Sequence, residues 1–141
     1  NGVVLHPYVI SKVVSASGAT TFETKPQIMG QAISEATART EQEILAGVVD
    51  SGTGTQARVE GADVIGKTGT AEIASSYGGY EETAYVMSFG GWLYGSSSDL
   101  VCLVTVNRPL TNLGAGGLCG PVFSEIMSYA AKRYQIDAQG K

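Results

Sequence analysis

Residues 61–70 read GADVIGKTGT, and two motifs share the lysine near the centre of that stretch. Gly61 to Thr68 satisfies G-x-x-x-x-G-K-[ST], the phosphate-binding loop of nucleotide hydrolases. Lys67, Thr68 and Gly69 spell K-T-G, which belongs to acyl transfer through a serine nucleophile. The two motifs demand different local structures. A phosphate loop curls backbone N–H groups around the anion and runs at once into a helix whose N-terminus faces it. K-T-G asks for an extended edge strand with the lysine ammonium aimed into a cleft.

The neighbouring residues decide between them. Val64 and Ile65 are β-branched and resist the left-handed conformations that a phosphate cradle uses. After Thr68 comes GTAEIASSYGG, which has no helical stripe, and residues 51–60, SGTGTQARVE, supply no preceding strand. An apolar run ending in aspartate, as a magnesium ligand would need, exists only as ILAGVVD at 44–50, which has helical periodicity and precedes the loop. The nucleotide-binding reading therefore ranks last, and DVIGKTGTAEI at 63–73 is expected to be a strand.

Two more strands follow. In AYVMSFGGWLY at 84–94, Tyr85, Met87, Phe89 and Leu93 share one face. LVCLVTV at 100–106 is apolar at nearly every position, the pattern of a central strand covered on both faces. Short connections make 63–107 a three-stranded antiparallel meander. Upstream, within region 1–33, YVISKVVS at 8–15 and TTFETK at 20–25 flank the turn S-A-S-G and predict a hairpin that Pro26 ends. A helix is expected over 34–51. Ser34 is its N-cap, Glu35 lies in its first turn, and Gly52 is its stop. Its apolar stripe is Ala36, Thr40, Ile44 and Val48 with Leu45 beside it, and Arg39, Glu43 and Asp50 lie opposite. A last helix is expected over 120–134, with Gly120 as cap, Pro121 at the first helical position, and a stripe of Val122, Phe123, Ile126, Met127, Ala130 and Tyr134. The fold class is α+β, an antiparallel sheet with packed helices.

Composition narrows the chemistry. The chain has 141 residues, 43% apolar and 16% charged, which fits one globular domain or part of one. Its net charge is −4 and its nine Lys and Arg are scattered, so no basic stripe is available for a nucleic-acid partner. The two cysteines, Cys102 and Cys119, and the lone His6 have no metal-ligand spacing, so no metal and no cofactor is expected. The thiols read as small buried hydrophobes, with free cysteines favoured over a disulfide. The 19 glycines raise the odds that a glycine-spaced motif matches by accident. The first residue is Asn1, with neither an initiator Met nor a signal-peptide pattern, so the chain is expected to be cut from something longer.

Taken in order, SGTGTQARVEG, IGKTGTAE, YVMSFGGWL, LVCLVTVNRP and GGLCGPVFSEIM resemble the C-terminal half of the transpeptidase domain of class B penicillin-binding proteins. The upstream stretch from NGVVLHPYVISKVV through FETKPQIMGQAIS also fits, so the resemblance covers essentially the whole chain. Class A relatives usually follow K-T-G with an aspartate-tryptophan-phenylalanine-type strand, which is missing here. The resemblance implies the penicillin-binding-protein and serine β-lactamase-like fold, with 1–141 as a single partial domain. It also implies peptidoglycan cross-linking on the outer side of the bacterial cell membrane, with an anchor outside this chain.

That family builds its site from S-x-x-K, S-x-N and K-T-G. Only the third is present, because no serine has a lysine three residues on or an asparagine two residues on. The resemblance implies that Lys67 hydrogen-bonds the S-x-N serine and adds positive potential. Thr68 and Thr70 would bind the substrate carboxylate, Gly69 would permit close approach, and the Thr70 backbone N–H would be one of two oxyanion donors. The implied partners are a D-alanyl-D-alanine stem peptide, β-lactams, and the missing N-terminal part of the domain, beside strand 100–106. An isolated chain would expose that strand's edge and self-associate. The expectation is a segment inactive alone. A non-catalytic β-lactam sensor is the alternative.

Overall fold

The structure, a computed structural model, describes residues 2–136. The chain separates into two compact units, Asn1–Glu41 and Gln42–Lys141. The first unit holds four short strands, β1 (Val3–Leu5), β2 (Lys12–Val14), β3 (Thr20–Glu23) and β4 (Ile28–Gln31). β2 and β3 pair as an antiparallel hairpin around a turn closed by Ser15 and Ala19. The inner ladder is shorter than 8–15 and 20–25 because its end is tied differently. The Ile10 carbonyl accepts the Thr24 hydroxyl at 2.6 Å, so the strand runs only from Lys12. The β2–β3 hairpin ends at Glu23, ahead of Pro26. The chain continues into β4, which pairs antiparallel with β1, a nested outer ladder that three residues of VVL were too short to announce. Both ladders carry a register shift, and no described residue of this unit is buried.

Helix α1 (Glu35–Asp50) begins where Ser34 caps it, the Thr37 N–H donating to the Ser34 hydroxyl at 3.0 Å. Glu35 pairs with Arg39 one turn on, at 2.6 Å. The buried side of the helix differs from the expected stripe. Gln42, Leu45 and Ala46 are half-buried and Val49 is buried, whereas Ala36 and Thr40 are exposed and Ile44 is 58% exposed. α1 carries apolar residues on two faces, and tertiary packing rather than periodicity chooses between them.

The second unit is built on a sheet ordered β5-β6-β7, from strands β5 (Val64–Ala74), β6 (Tyr80–Leu93) and β7 (Val101–Asn107), all antiparallel. β6 starts earlier than expected because Ala74 still pairs with Tyr80 beyond a bulge at Glu72. Helix α2 (Ala115–Tyr134) covers one sheet face. Phe89, Leu93, Val64 and Val104 from the sheet meet Cys119, Phe123 and Met127 from α2, with Val49, Ala57 and Val59 closing the cluster.

Two further expectations need correction. α2 starts at Ala115 rather than 120, so Pro121 lies inside the helix and not at its first position. The glycines of its opening turns let the backbone lie close to the 53–57 loop. A β-carbon on Gly116 would stand 1.8 Å from the Thr53 carbonyl oxygen. β7 is an edge strand covered on one face. Val104 is buried, while Val101 and Leu103, which alternate to the other face, are each 70% exposed.

Candidate functional site

Lys67, Thr68, Gly69 and Thr70 all lie on β5, an edge of the sheet. The decapeptide GADVIGKTGT is thus a turn followed by a strand. Val59 and Ala62 bridge across Gly61, and extended backbone then continues through Lys67 to Ala74. No helix begins at Thr68, and a phosphate cradle is excluded on geometry.

The direction of the backbone groups follows from the ladder. The Tyr94 N–H donates to the Asp63 carbonyl at 2.8 Å, which makes that pair hydrogen-bonded. The register pairs Val64 with Leu93, Ile65 with Trp92 and so on without a shift as far as Glu72. In an antiparallel pair, hydrogen-bonded and non-bonded residues alternate. Ile65, Lys67 and Gly69 therefore direct their N–H and C=O groups at β6, and Thr68 and Thr70 direct theirs at the open edge.

The side chains alternate as well, Thr68 with Thr70 on the helix-covered face and Lys67 with Gly69 on the other. Lysine and threonine nevertheless meet. The Lys67 ammonium donates to the Thr68 carbonyl at 2.9 Å and lies 3.4 Å from the Thr68 Oγ1. The long lysine stem curls over the open edge, where the Thr68 carbonyl points. The register runs unbroken through the motif, and the shift in this ladder comes later, after Glu72.

The Thr68 hydroxyl has a second partner that sequence reasoning missed. The Thr53 Oγ1 lies 2.8 Å from it. Thr53 sits in SGTGT, between α1 and the 3-10 turn Thr55–Ala57. The glycine spacing of that loop was visible in the sequence, but nothing local said that the loop crosses to the motif strand. Its course is held from three sides. The Gly54 N–H donates to the Val48 carbonyl at 2.9 Å. A β-carbon on Gly54 would stand 2.9 Å from the Phe89 ring. The Thr53 carbonyl faces Gly116 of α2, whose missing side chain also leaves room beside the Thr68 methyl.

Gly69 has a local reason to be glycine. It pairs with Ser88, and a β-carbon there would lie 2.6 Å from the Ser88 Oγ. Lys67 and Thr70 are exposed, and Thr68 and Gly69 are half-buried. At the far end of β6, Arg108 grips Glu81 with both terminal guanidinium nitrogens, one at 2.7 Å, and this hydrogen bonding holds the Glu81 carboxyl below its ordinary range. Burial pushes the thiols of Cys102 and Cys119 up, and both are free.

Two cavities among the described residues lie away from the motif strand. A cavity of about 350 Å³ is lined by His6, Tyr8, Phe22, Glu23, Thr24, Lys25 and Gln27. Another of about 380 Å³ lies around Trp92, Tyr94, Ser96, Asp99 and Val101. Neither includes the motif. Among the described residues no group of acidic, histidine or cysteine side chains could hold a metal, and no helix is long and apolar enough to cross a membrane.

Comparison with known proteins identifies the family. Residues 1–128 match the family model of the penicillin binding protein transpeptidase domain. The chain is 31% identical to penicillin-binding protein PbpB of Mycolicibacterium smegmatis, over 96% of this chain and 22% of the relative. It is 34% identical to stage V sporulation protein D of Bacillus subtilis, over 89% of this chain and 20% of the relative. Crystal structures of penicillin binding protein 3 from Mycobacterium tuberculosis, in the apo form and complexed with aztreonam, each superpose with a TM-score of 0.77 at 28% identity, covering 99% of this chain and 33% of theirs. The chain thus spans about a fifth of the length of these curated relatives. With an antiparallel sheet, a covering helix and K-T-G on its edge strand, this chain belongs to the penicillin-binding protein transpeptidase domain family.

Proposed function

We propose that this chain supplies the K-T-G wall of the active site of a serine-type peptidoglycan D,D-transpeptidase. In that reaction a serine Oγ attacks the carbonyl carbon of the penultimate D-alanine of a stem peptide. The C–N bond breaks, and D-alanine leaves with a proton. An amine from a neighbouring strand then attacks the ester, the C–O bond breaks, and the serine regains its proton. β-Lactams acylate the same serine. The nucleophile and its base belong to S-x-x-K, and a further serine to S-x-N, neither of which occurs in these residues.

The observation that carries this reading is the open edge of β5. The Lys67 ammonium is folded over it, and the period of the ladder directs the Thr70 N–H to the same side. Lys67 hydrogen-bonds the S-x-N serine and raises the positive potential of the cleft. The Thr68 and Thr70 hydroxyls bind the terminal carboxylate. The Thr70 N–H is one of two oxyanion donors, and a single such donor is worth about 10²–10³ in rate. Half an oxyanion hole without a nucleophile gives no turnover, so the chain alone is inactive. The reaction takes place outside the cytoplasmic membrane, with anchoring by a segment not among these residues. The free edge of β7 is where the rest of the domain adds its strands, and the isolated chain self-associates there.

Labelling with a fluorescent penicillin tests the reading. The full-length protein that carries this chain is expected to be labelled covalently, and its Lys67→Ala variant about a hundredfold more slowly. The 141-residue chain alone is expected to stay unlabelled. Labelling of the chain alone above an unrelated control, or none of the full-length protein, would count against it.

A further inference from the structure

The contact between Thr53 and Thr68 has a consequence for how the carboxylate is recognised. A hydroxyl offers one hydrogen and two lone pairs. The Lys67 ammonium has no lone pair and acts only as a donor, so its approach to the Thr68 Oγ1 at 3.4 Å occupies one acceptor direction. The Thr53 Oγ1, at 2.8 Å, lies along another. If Thr68 donated to Thr53, its single hydrogen would be spent inside the protein, and the residue would meet an anion with lone pairs only. If Thr53 donates, both lone pairs of Thr68 are filled, and its hydrogen is left to point at the ligand.

We propose that Thr53 is a positioning residue whose hydroxyl donates to Thr68 and thereby turns the Thr68 O–H toward the carboxylate of stem peptide or β-lactam. This role rests on the active-site reading above and adds to it a residue from outside the motif. The loop is suited to the task because its backbone is held from three sides. Val48 accepts from Gly54, the Phe89 ring closes on Gly54, and the Thr53 carbonyl lies against Gly116. A hydrogen-bond partner held by packing orients its target at little entropic cost, which a partner on a mobile loop would not do. Thr53 touches neither the reacting atoms nor, on this account, the carboxylate itself.

The test uses the full-length protein with Thr53→Val, Thr53→Ala and Thr53→Ser. Each is acylated by two probes, a penicillin with its free carboxylate and the same penicillin with that carboxylate esterified. The readout is the ratio of the two second-order acylation constants, from which any unfolded fraction of a preparation cancels. Thr53→Val and Thr53→Ala are expected to lower the free-acid rate about tenfold, the scale of one hydrogen bond to a charged group, and to leave the ester rate unchanged. Thr53→Ser is expected to restore the ratio. Equal slowing of both probes would make Thr53 a merely structural residue and overturn the proposal. So would an unchanged ratio in both hydroxyl-free variants, or a serine variant that behaves like valine. Failure of the unsubstituted protein to react with the free acid would instead overturn the active-site reading, and this role with it.

Discussion

The ring of Phe89, on the middle strand, meets the ring of Phe123, on α2, edge-on, with centroids 4.8 Å apart and planes at 69°. Both side chains are fully buried, and the pair joins the sheet to the helix that covers it. Phe89 also pairs in register with Thr68 and closes on Gly54. One ring therefore touches the motif strand, the Thr53 loop and the core together. Replacing Phe123 with alanine should destabilise the second unit by about 3–5 kcal/mol, the usual range for an aromatic deleted from a packed core. Denaturant unfolding would measure it. A loss below about 1 kcal/mol would mean that the helix is not what holds the sheet.

The ladder makes a separate prediction about Thr70. Its N–H faces the open edge, so a proline there removes no bond to β6. In the full-length protein, Thr70→Pro is expected to fold and to lose about 10²–10³ in acylation rate, the worth of an oxyanion donor. Thr70→Ala keeps that N–H and should lose only the hydroxyl's smaller contribution. Ala71→Pro, one residue on, deletes a donor aimed at β6 and should unfold the strand instead. Melting curves beside penicillin-labelling rates distinguish these outcomes. Equal rates for the proline and alanine variants at position 70 would remove the backbone N–H from the mechanism.

Acid should find the Glu81–Arg108 pair. Hydrogen bonding to Arg108 comes first in holding the Glu81 carboxyl down, and the positive charge of the guanidinium adds to it. A carboxyl with a lowered folded-state pKa contributes stability that is present above its unfolded pKa and lost as pH falls through the folded value. Glu81→Gln should therefore melt earlier than the unsubstituted chain near neutral pH, with the difference closing as the pH drops below the carboxylate range. Arg108 is exposed and Glu81 only half-buried, so the effect should be modest and reduced by salt. A gap that stays constant into acid would mean that the charge of Glu81 contributes nothing.

Much of the sheet and the motif strand was legible because period-two patterning and β-branched residues are local signals. The branching of Val64 and Ile65 is enough to exclude the phosphate loop, and the odd-numbered face of β6 follows from Phe89 and Leu93. What escaped was non-local. Ile44 and Val49 both lie on apolar stripes of α1, and only tertiary packing buries Val49 and leaves Ile44 exposed. Pro121 and Gly120 imitate a helix start, yet the helix begins a turn and a half earlier. Gly116 lies in that earlier turn with its backbone against Thr53, a contact across distant sequence. The Thr53–Thr68 bond spans 15 residues and has no local signature. Uniform apolarity in β7 suggested cover on both faces, whereas its Val101 and Leu103 face is open in this chain.

That open face leads to the last prediction. The Arg108 N–H donates to the Tyr85 carbonyl at 2.9 Å, and the β6–β7 register runs unbroken from Val86–Asn107 to Trp92–Val101. Alternation then directs the N–H and C=O groups of Val101, Leu103, Thr105 and Asn107 away from β6, onto an edge with no neighbouring strand among the described residues. The side chains of Val101 and Leu103 make the adjoining face apolar. Unpaired backbone beside an apolar face templates another strand, and a lysine placed there is a common natural defence against such pairing. The isolated chain should therefore associate as concentration rises, and Leu103→Lys should shift it toward monomer with little change in melting, since Leu103 is already exposed. Sedimentation velocity over a concentration series reads both. A chain that stays monomeric throughout, with a cooperative melt, would show that β7 needs no partner strand.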